Sequence, residues 1–374
     1  MIQEKLLEIN SVCKKIEDSW KKTDNSVGKF PEVVLKHTQD IDLTWLGNLA
    51  NIAKLLDNPY IAKIQKMTTF SDCYLMLWHN GRFHVEILNW WGLDINIHDH
   101  NFSGVQFQLL GNSLNVVYEV DQTNRTSRFA KRDIKVKRAE LWKEGSHSLV
   151  LPGDAEPHTV HHMSLPTVSL LFRTVPCDDY GPQLNYFPPN VSASYSIADE
   201  IFRKKVEALR ALNRGSSSNF RSTFNEILES NSLTENLFLI AKLSDILFAK
   251  TNKGLMLGFA NNGENEKYIV SAIAFRRASE FLLREVCKET GLNESEKLCT
   301  SILAAAFDAD SCSKICQSLA DCGIEIHFSK SLQSVFEKIT PWKKIELVKI
   351  LALYGLDFPP SNTGLNEEES FCTA

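Results

Sequence analysis

The stretch INIHDHNFSGVQFQLLGNSL, residues 95–114, contains two histidines one residue apart, within a run that is otherwise typical of a β-strand. Residues i and i+2 of a strand lie on the same face, roughly 6.5–7 Å apart. His98 and His100 can therefore converge on one metal ion, while Asp99 faces the opposite side. Such a pair is also typical of two hydrogen-bonded histidines, so a metal site requires a third ligand from another part of the chain.

A third histidine follows in GSHSLVLPGDAEPHTVHHMSL, residues 145–165. Pro152 and Gly153 predict a tight turn, and His158 opens the next apolar run, about 60 residues after His98. That spacing leaves room for several strands between the two histidine motifs. His162 lies on the same strand face as His158. It is a candidate acid or base, or an alternative ligand; the other interpretation is a strand-end histidine that pairs with a neighbouring loop.

The composition is that of a globular protein of 374 residues, of which 43% are hydrophobic, enough for two domains with separate cores. The formal net charge is -5 and no long basic block occurs, so nucleic acid is not an expected partner. No apolar run is long enough to span a bilayer and no signal-peptide core is found, so no membrane partner is expected and the cytoplasm is the expected compartment. The nine cysteines include no CxxC pair, which suits a reducing compartment.

The periodicity separates a helical N-terminal segment, residues 1–70, from a β-rich region, residues 71–180. Apolar residues at three- and four-residue spacing predict two or three helices in the first of these. From Cys73 the spacing becomes that of strands, with a hairpin predicted at Asn80-Gly81. Turn signals then recur at short intervals up to about Val175 with no helical segment between them, which favours an antiparallel barrel or sandwich.

The rest of the chain is predicted to be mainly helical. A proline-rich segment, residues 181–195, breaks both periodicities and is interpreted as a linker or as a strap across the barrel. An all-α domain is expected over residues 196–360, opening with a capping-box-like pair at Ser196 and Asp199. The polar and acidic tail, residues 361–374, is expected to fray. The predicted fold class is therefore α+β.

Three segments together resemble the cysteine dioxygenase (thiol dioxygenase) branch of the cupin superfamily, over roughly residues 70–180. They are FHVEILNWWGLDINIHDHNFSGVQFQLLGNSL, HSLVLPGDAEPHTV and PTVSLLF. The resemblance implies a double-stranded β-helix barrel that holds Fe(II) through three histidines, which map here to His98, His100 and His158. The expected architecture is a cupin barrel between N-terminal helices and a C-terminal all-α domain.

This sequence also departs from that family. Gly104 and Arg173 occupy the positions of the cysteine and tyrosine that are often cross-linked in the branch, so no such cross-link is expected. The family's serine-histidine-tyrosine relay falls on Ser169, Leu171 and Arg173, so only the serine is retained. The resemblance therefore implies the barrel and the metal, whereas cysteine is expected to be a poor substrate.

Polar residues on the strands around the motif are candidates for substrate contacts. Gln106 and Gln108 alternate along one strand and are predicted to face the barrel interior, where they orient a substrate or a metal-bound water, or else satisfy backbone groups of the barrel. Ser169 and Arg173 share a face of a later strand. Arg173 is predicted to clamp an anionic group of the substrate; the alternative is an ion pair with an aspartate of the following loop, at position 178 or 179.

The preferred interpretation is a non-haem Fe(II)-dependent oxygenase acting on a small polar metabolite, such as one containing sulfur or nitrogen, with dioxygen as co-substrate. Ligand identity alone does not select the metal, so a non-redox isomerase, lyase or hydrolase using Zn, Mn or Ni is the enzymatic alternative. The non-enzymatic alternative is a metal- or ligand-binding cupin whose helical domain acts through a partner protein. A homodimer contact or a partner protein is expected at the helical domain.

Overall fold

The computed structural model describes most of the chain, and the statements below concern residues 2–66, 71, 73–91, 96–121, 129–194, 200–249 and 252–356. Two features predicted from the sequence lie outside these ranges. They are the capping-box-like start at Ser196 and Asp199, and the acidic tail over residues 361–374.

Four α-helices precede the first strand, where the periodicity predicts two or three: α1 (Ile2–Lys21), α2 (Phe30–Thr38), α3 (Leu49–Leu55) and α4 (Pro59–Ile64). Asparagine N-caps explain why there are more helices than the periodicity predicts. The side chains of Asn48 and Asn58 each accept hydrogen bonds from two backbone N–H groups of the helix that follows, so each asparagine begins a new helix. The apolar faces of the four helices share one core with the first strands and with Val168, Leu170 and Phe172.

Strand structure begins where the sequence predicts it, at Cys73. Gly81, at the predicted hairpin, has φ of +80°, a conformation that glycine adopts without steric cost, and the two flanking strands pair antiparallel. The strands up to Thr174 are β1 (Cys73–His79), β2 (Phe83–Trp90), β3 (Ile97–His100), β4 (Gly104–Leu110), β5 (Ser113–Val120), β6 (Phe129–Lys131), β7 (Ile134–Trp142), β8 (His147–Val150), β9 (Gly153–His162) and β10 (Thr167–Thr174).

The strands form two antiparallel sheets. The five-stranded sheet has the order β1-β2-β10-β4-β8, and the seven-stranded sheet has the order β6-β12-β11-β3-β9-β5-β7, where β11 is Leu184–Phe187 and β12 is Val191–Ser194. Strands far apart in sequence, such as β3 and β9 or β4 and β10, are neighbours in space. The chain thus has the α+β fold class predicted from the sequence, a barrel of two facing antiparallel sheets with helices before and after it.

β11 and β12 lie inside the segment interpreted as a linker or strap, and they extend the seven-stranded sheet beside β3. The three prolines of this segment lie outside the strands, Pro182 before β11 and the other two at the turn over residues 188–189, so they do not interrupt the ladder. All eight strand residues are buried. The segment is therefore part of the barrel wall next to the histidine strand.

The helical region packs on the outer face of the seven-stranded sheet. Tyr118 on β5 donates its hydroxyl hydrogen to the carbonyl of Ala305 at 2.8 Å, and His161 Nδ1 donates to the carbonyl of Ser301 at 3.1 Å. No helix among the described residues is long and apolar enough to cross a membrane. The helices are α5 (Glu200–Gly215), α6 (Ser217–Ser230), α7 (Leu233–Lys242), α8 (Ser244–Leu247), α9 (Lys253–Ala260), α10 (Glu264–Phe281), α11 (Glu294–Ala305), α12 (Ala309–Asp321), α13 (Phe328–Lys338) and α14 (Pro341–Leu353).

Candidate metal centre

Strands β3 and β9 bring the three predicted histidines together. His98 lies directly opposite His158 in the antiparallel ladder, and His100 lies opposite Gly153, at the turn that the Pro-Gly pair predicts. Asp99 is fully buried on the other face of β3 and accepts hydrogen bonds from the backbone N–H of Leu184 and from the hydroxyl of Tyr186, both at 2.8 Å. Asp99 thereby ties β3 to β11 and keeps the two flanking histidines on the cavity side.

The histidine nitrogens are close enough to share one ion. One ring nitrogen from each of the three side chains lies within 4.8 Å of the others. The Nε2 atoms of His100 and His158 are 3.0 Å apart. With metal–nitrogen distances of ~2.1 Å, two ligands at a right angle stand ~3.0 Å apart and two tetrahedral ligands ~3.4 Å. The spacing of this pair is that of two ligands at a right angle, and it is also the length of a hydrogen bond between the two rings.

Two of the imidazoles are oriented by a second hydrogen bond. His98 Nδ1 donates to the backbone carbonyl of Asn96 at 3.1 Å, and His158 Nδ1 donates to the side-chain oxygen of Asn115 at 2.9 Å. Each bond places the ring proton on Nδ1 and leaves Nε2 with a free lone pair, as a metal ligand requires. His100 Nδ1 is buried and has no hydrogen-bond partner among the described residues.

Burial keeps two of the three candidate ligands, His100 and His158, in the neutral form. Burial, followed by the nearby His98 and Arg138, lowers the pKa of His158 to about 3. Burial also holds the pKa of His100 well below its usual range, with smaller contributions from His98, His158 and Arg173. Neutral imidazole is the form that binds a metal, so both rings are ready for coordination at neutral pH. The donor set of three neutral nitrogens fits Fe(II) and, equally, Mn, Ni or Zn.

Gly104 is required by the close approach of strand β10. A Cβ built on this glycine would stand 2.3 Å from the carbonyl oxygen of Phe172 and 3.2 Å from Cα of Arg173. No side chain fits there without moving the backbone, so this position can carry neither a carboxylate ligand nor a cross-linked cysteine. The close packing of β4 on β10 therefore explains why this chain has glycine where the family often has cysteine, opposite Arg173.

A cavity of about 50 Å³ lies beside the three histidines. Histidines are the only titratable side chains among the described residues that line it. When the histidines are neutral, the lining carries no formal charge. The lining is mostly aliphatic and aromatic, with one glutamine, one asparagine and a fourth histidine as its other polar members. It consists of Leu88, Trp90, Asn96, His98, His100, Phe102, Gln106, Val150, His158, Val160, His162 and Leu171.

The two predicted glutamines have different environments. Gln106 lines the cavity, and its Nε2 donates to the hydroxyl of Ser169 at 3.3 Å. Gln108 is buried behind it, and its Nε2 donates to the carbonyl of Gly111 at 2.9 Å and to the hydroxyl of Ser113 at 3.3 Å. Gln108 thus satisfies groups of the barrel wall, which was the alternative interpretation of both glutamines.

A chain of hydrogen bonds joins Gln106 to His162, the fourth histidine of the cavity. Ser169 accepts from Gln106 and is 3.5 Å from the Oε1 atom of Gln108; Ser113 accepts from Gln108 and lies 3.0 Å from Nδ1 of His162. His162 is also stacked on Trp90, with ring centroids 5.0 Å apart. Ser169 itself does not line the cavity and acts on it only through Gln106.

Arg173 lies behind the cavity wall, where a carboxylate already occupies its guanidinium. Its Nε and Nη2 atoms both donate to Glu86 at 2.8 Å, and the guanidinium lies over the ring of Phe102. Glu86 also accepts a hydrogen bond from the hydroxyl of Tyr74 at 2.6 Å and contacts His84. The partner is thus on β2, and neither aspartate of the following loop takes that place.

Sequence reasoning missed Asn115, and it missed the pairing of Glu86 with Arg173. Asn115 is the second inward-facing residue of β5 and is buried, so an amide at an alternating core position was the available signal. Glu86 lies in FHVEILNW, where a carboxylate inside a run of buried strand residues is equally unusual. Each pattern indicates a buried polar side chain, but neither pattern identifies the residue that forms a hydrogen bond with it.

Comparisons with known proteins leave the family open at the level of sequence. No family model matches the chain, and no curated protein matches it. Solved structures similar to part of it include hydroquinone 1,2-dioxygenase PnpCD (17% identity, 28% of this chain and 63% of that one, TM-score 0.22). Others are hydroquinone 1,2-dioxygenase from Sphingomonas sp. TTNP3 (9%, 29% and 70%, 0.24) and an uncharacterised double-stranded β-helix protein from Klebsiella pneumoniae (9%, 33% and 92%, 0.21).

These likenesses are confined to about a third of the chain, and this chain spans less than two thirds of the PnpCD structure. Among these three structures, a double-stranded β-helix domain is named for the Klebsiella protein. The assignment of this chain's fold rests on the two-sheet topology described above and on the histidine cluster.

Proposed function

We propose that this chain is a non-haem Fe(II)-dependent oxygenase of the cupin type, acting on a small molecule with dioxygen as co-substrate. The observation that supports it is the cluster of His98, His100 and His158, in which one ring nitrogen of each side chain lies within 4.8 Å of the others, beside a cavity lined mainly by apolar side chains. When bound there, Fe(II) supplies the redox chemistry that brings dioxygen and an organic substrate to reaction. His98, His100 and His158 would hold the ion through three neutral nitrogens, which would leave its positive charge uncompensated and available to an anionic or chelating substrate.

The remaining cavity residues are assigned to positioning and proton handling. Gln106 orients a polar group of the substrate, and Ser169 fixes the amide of Gln106 from behind. His162 holds or moves a proton: if Ser113 donates to its Nδ1 atom, the proton of the neutral ring is on Nε2. The aliphatic and aromatic walls exclude water from the ligand side of the ion.

The lining also limits the substrate. Among the described lining residues, only the histidines can become charged. The cavity therefore suits a small molecule whose polar group reaches the metal and Gln106. The apolar part of that molecule would contact Phe102 and Leu171. An anion clamp by Arg173 would have to compete with Glu86, which holds two of its nitrogens. Ordinary cysteine, with a carboxylate and an ammonium to satisfy, is expected to be a poor substrate.

The test is anaerobic purification with metal analysis, followed by dioxygen-consumption measurements on thiols, phenols and amino acids. The proposal predicts bound iron and dioxygen uptake with an uncharged thiol or phenol, and it predicts slow turnover of cysteine. Each missing acid–base or orienting contact commonly lowers the rate by a factor on the order of 10²–10⁴. Cysteine should therefore be turned over far more slowly than the uncharged thiol or phenol. Bound zinc without uptake would favour the Lewis-acid alternative, and rapid cysteine oxidation would contradict the substrate limit.

A further inference from the structure

A side chain of the helical region donates a hydrogen bond to a residue that lines the cavity beside the three histidines. Arg276, on helix α10, donates from Nη1 to the side-chain oxygen of Asn96 at 2.6 Å. Asn96 lines the cavity and immediately precedes strand β3, which carries two of the three histidines. A guanidinium donor makes a stronger bond than a neutral donor, and the short distance agrees with this.

The backbone of Asn96 forms a second hydrogen bond, to a histidine of the cluster. Its backbone carbonyl accepts the hydrogen bond from His98 Nδ1 at 3.1 Å. The side chain of this asparagine is thus bonded to the helical region and its main chain to a candidate metal ligand. Movement of the Asn96 peptide would rotate the His98 ring or break the bond that sets its tautomer.

We propose that Arg276 is a positioning residue for the metal centre, holding Asn96 so that His98 keeps its proton on Nδ1 and presents Nε2 to the ion. As far as metal binding is concerned, this rests on the function proposed above. The guanidinium is itself held in place by Glu280 on the same helix, 3.3 Å from Nε, and by the ring of Phe187 on β11. The helical region would then complete the metal centre as well as cover the sheet.

The adjacent arginine provides a matched control. Arg277 also donates from Nη1 to an oxygen, the carbonyl of Ser244 at 2.9 Å, and lies over the ring of Phe248. Both of these partners belong to the helical region. Loss of Arg277 should therefore affect the packing of the helices while leaving His98 unchanged.

The first measurement needs no metal. In protein labelled with ¹⁵N-histidine, the ring nitrogen shifts report which nitrogen of His98 carries the proton. The wild type and Arg277→Met should show the Nδ1–H tautomer. Arg276→Met should show a mixture of tautomers, and Arg276→Lys, which retains a cationic donor, should restore part of the Nδ1–H population. A pure Nδ1–H tautomer in Arg276→Met would overturn the proposal.

The second measurement is a double-mutant cycle read by Co²⁺ affinity and by the ligand-field spectrum of the bound ion. Residues that support metal ligands typically contribute 10–100-fold to affinity, so Arg276→Met and Asn96→Ala are each expected to weaken Co²⁺ binding by about tenfold. The double variant should bind no more weakly than either single variant, because both remove the same link. Arg277→Met should bind Co²⁺ like the wild type.

The outcomes separate this proposal from the proposed function. Additive losses in the double variant, or equal losses in Arg276→Met and Arg277→Met, would show that Arg276 acts only on general stability. Failure of the wild type to bind Co²⁺ would contradict the metal centre, and the metal-free tautomer measurement would still decide whether Arg276 orients His98. If Arg276→Met does not fold, Arg276→Lys is tested in both measurements and should give intermediate values.

Discussion

At the scale of single residues, the charged groups near the cavity neutralise one another. Burial alone would raise the pKa of Glu86, but the contact with His84, the charge and hydrogen bonds of Arg173, and the hydroxyl of Tyr74 outweigh it and lower the pKa to about 2. Glu86 is only 1% exposed, so this carboxylate depends entirely on protein partners. The uncharged lining of the cavity thus lies against an ion pair in which Glu86 is buried and Arg173 is partly exposed.

The low pKa of Glu86 predicts a specific dependence of stability on pH. The folded-state pKa lies below the unfolded value of ~4.3, so the ionised carboxylate stabilises the fold above about pH 4.3, and this contribution is lost as the pH falls toward about 2. Glu86→Gln should reduce the free energy of unfolding at neutral pH by about 3 kcal/mol, and the difference from the wild type should narrow on acidification. Chemical denaturation at about pH 7, 5 and 3 measures this.

Glu200→Gln is the control for that series, because Glu200 is paired with Arg203 but fully exposed. Its removal should leave stability nearly unchanged. A difference for Glu86→Gln that is constant with pH would show that the carboxylate is not the stabilising group.

The pairing also predicts how Arg173 variants behave. Arg173→Met should lower the melting temperature because it leaves Glu86 buried without its cation, and the double variant Arg173→Met/Glu86→Leu should regain most of the loss. Thermal unfolding of the two single variants and the double variant measures this. Weaker binding of acetate by Arg173→Lys, with an unchanged melting temperature, would instead support the anion clamp.

At the scale of elements, the site depends on how closely β4 and β10 pack. Gly104 allows that approach, because any Cβ there would collide with the backbone of Phe172. The same two strands carry Gln106 and Ser169, which are hydrogen-bonded to each other. The backbone spacing at the glycine therefore also sets the distance between these two side chains.

Gly104→Ala should be destabilising by about 1–3 kcal/mol, the usual cost of forcing an extra methyl group into a packed interior. Gly28→Ala is the matched control, since a Cβ at Gly28 would meet nothing within 4 Å. Denaturant unfolding of the two variants should therefore differ clearly. Equal stability of Gly104→Ala and the wild type would mean that β10 does not pack as described.

At the scale of the whole molecule, the sequence predicts the parts of the site that follow from local geometry. His98 and His100 share a face because strand side chains alternate, and the Pro-Gly turn places His158 on the returning strand. The family resemblance then supplies the barrel that brings those strands together. The clustering of these three histidines could be predicted without a structure, because it depends on short sequence spacings and on one known fold.

The remaining contacts depend on register between distant strands. Arg173 meets Glu86 because β10 pairs with β2, whereas the sequence pointed to nearby aspartates in the loop. Asn115 reaches His158 because β5 pairs with β9. Arg276 reaches Asn96 only because the helical region packs on the sheet, 180 residues away in the chain. No pattern within one segment contains this information.

Three histidines are proposed to hold one metal ion, and mass spectrometry of the purified protein measures whether they do. Wild-type protein purified anaerobically with Fe(II) should retain about one iron per chain, and His98→Ala, His100→Ala and His158→Ala should each lose most of it with helical content unchanged. His161→Ala is the control, because His161 lies on the same strand as His158 but bonds to the helical region. Full metal retention in any two of the three histidine variants would show that these residues do not hold the ion.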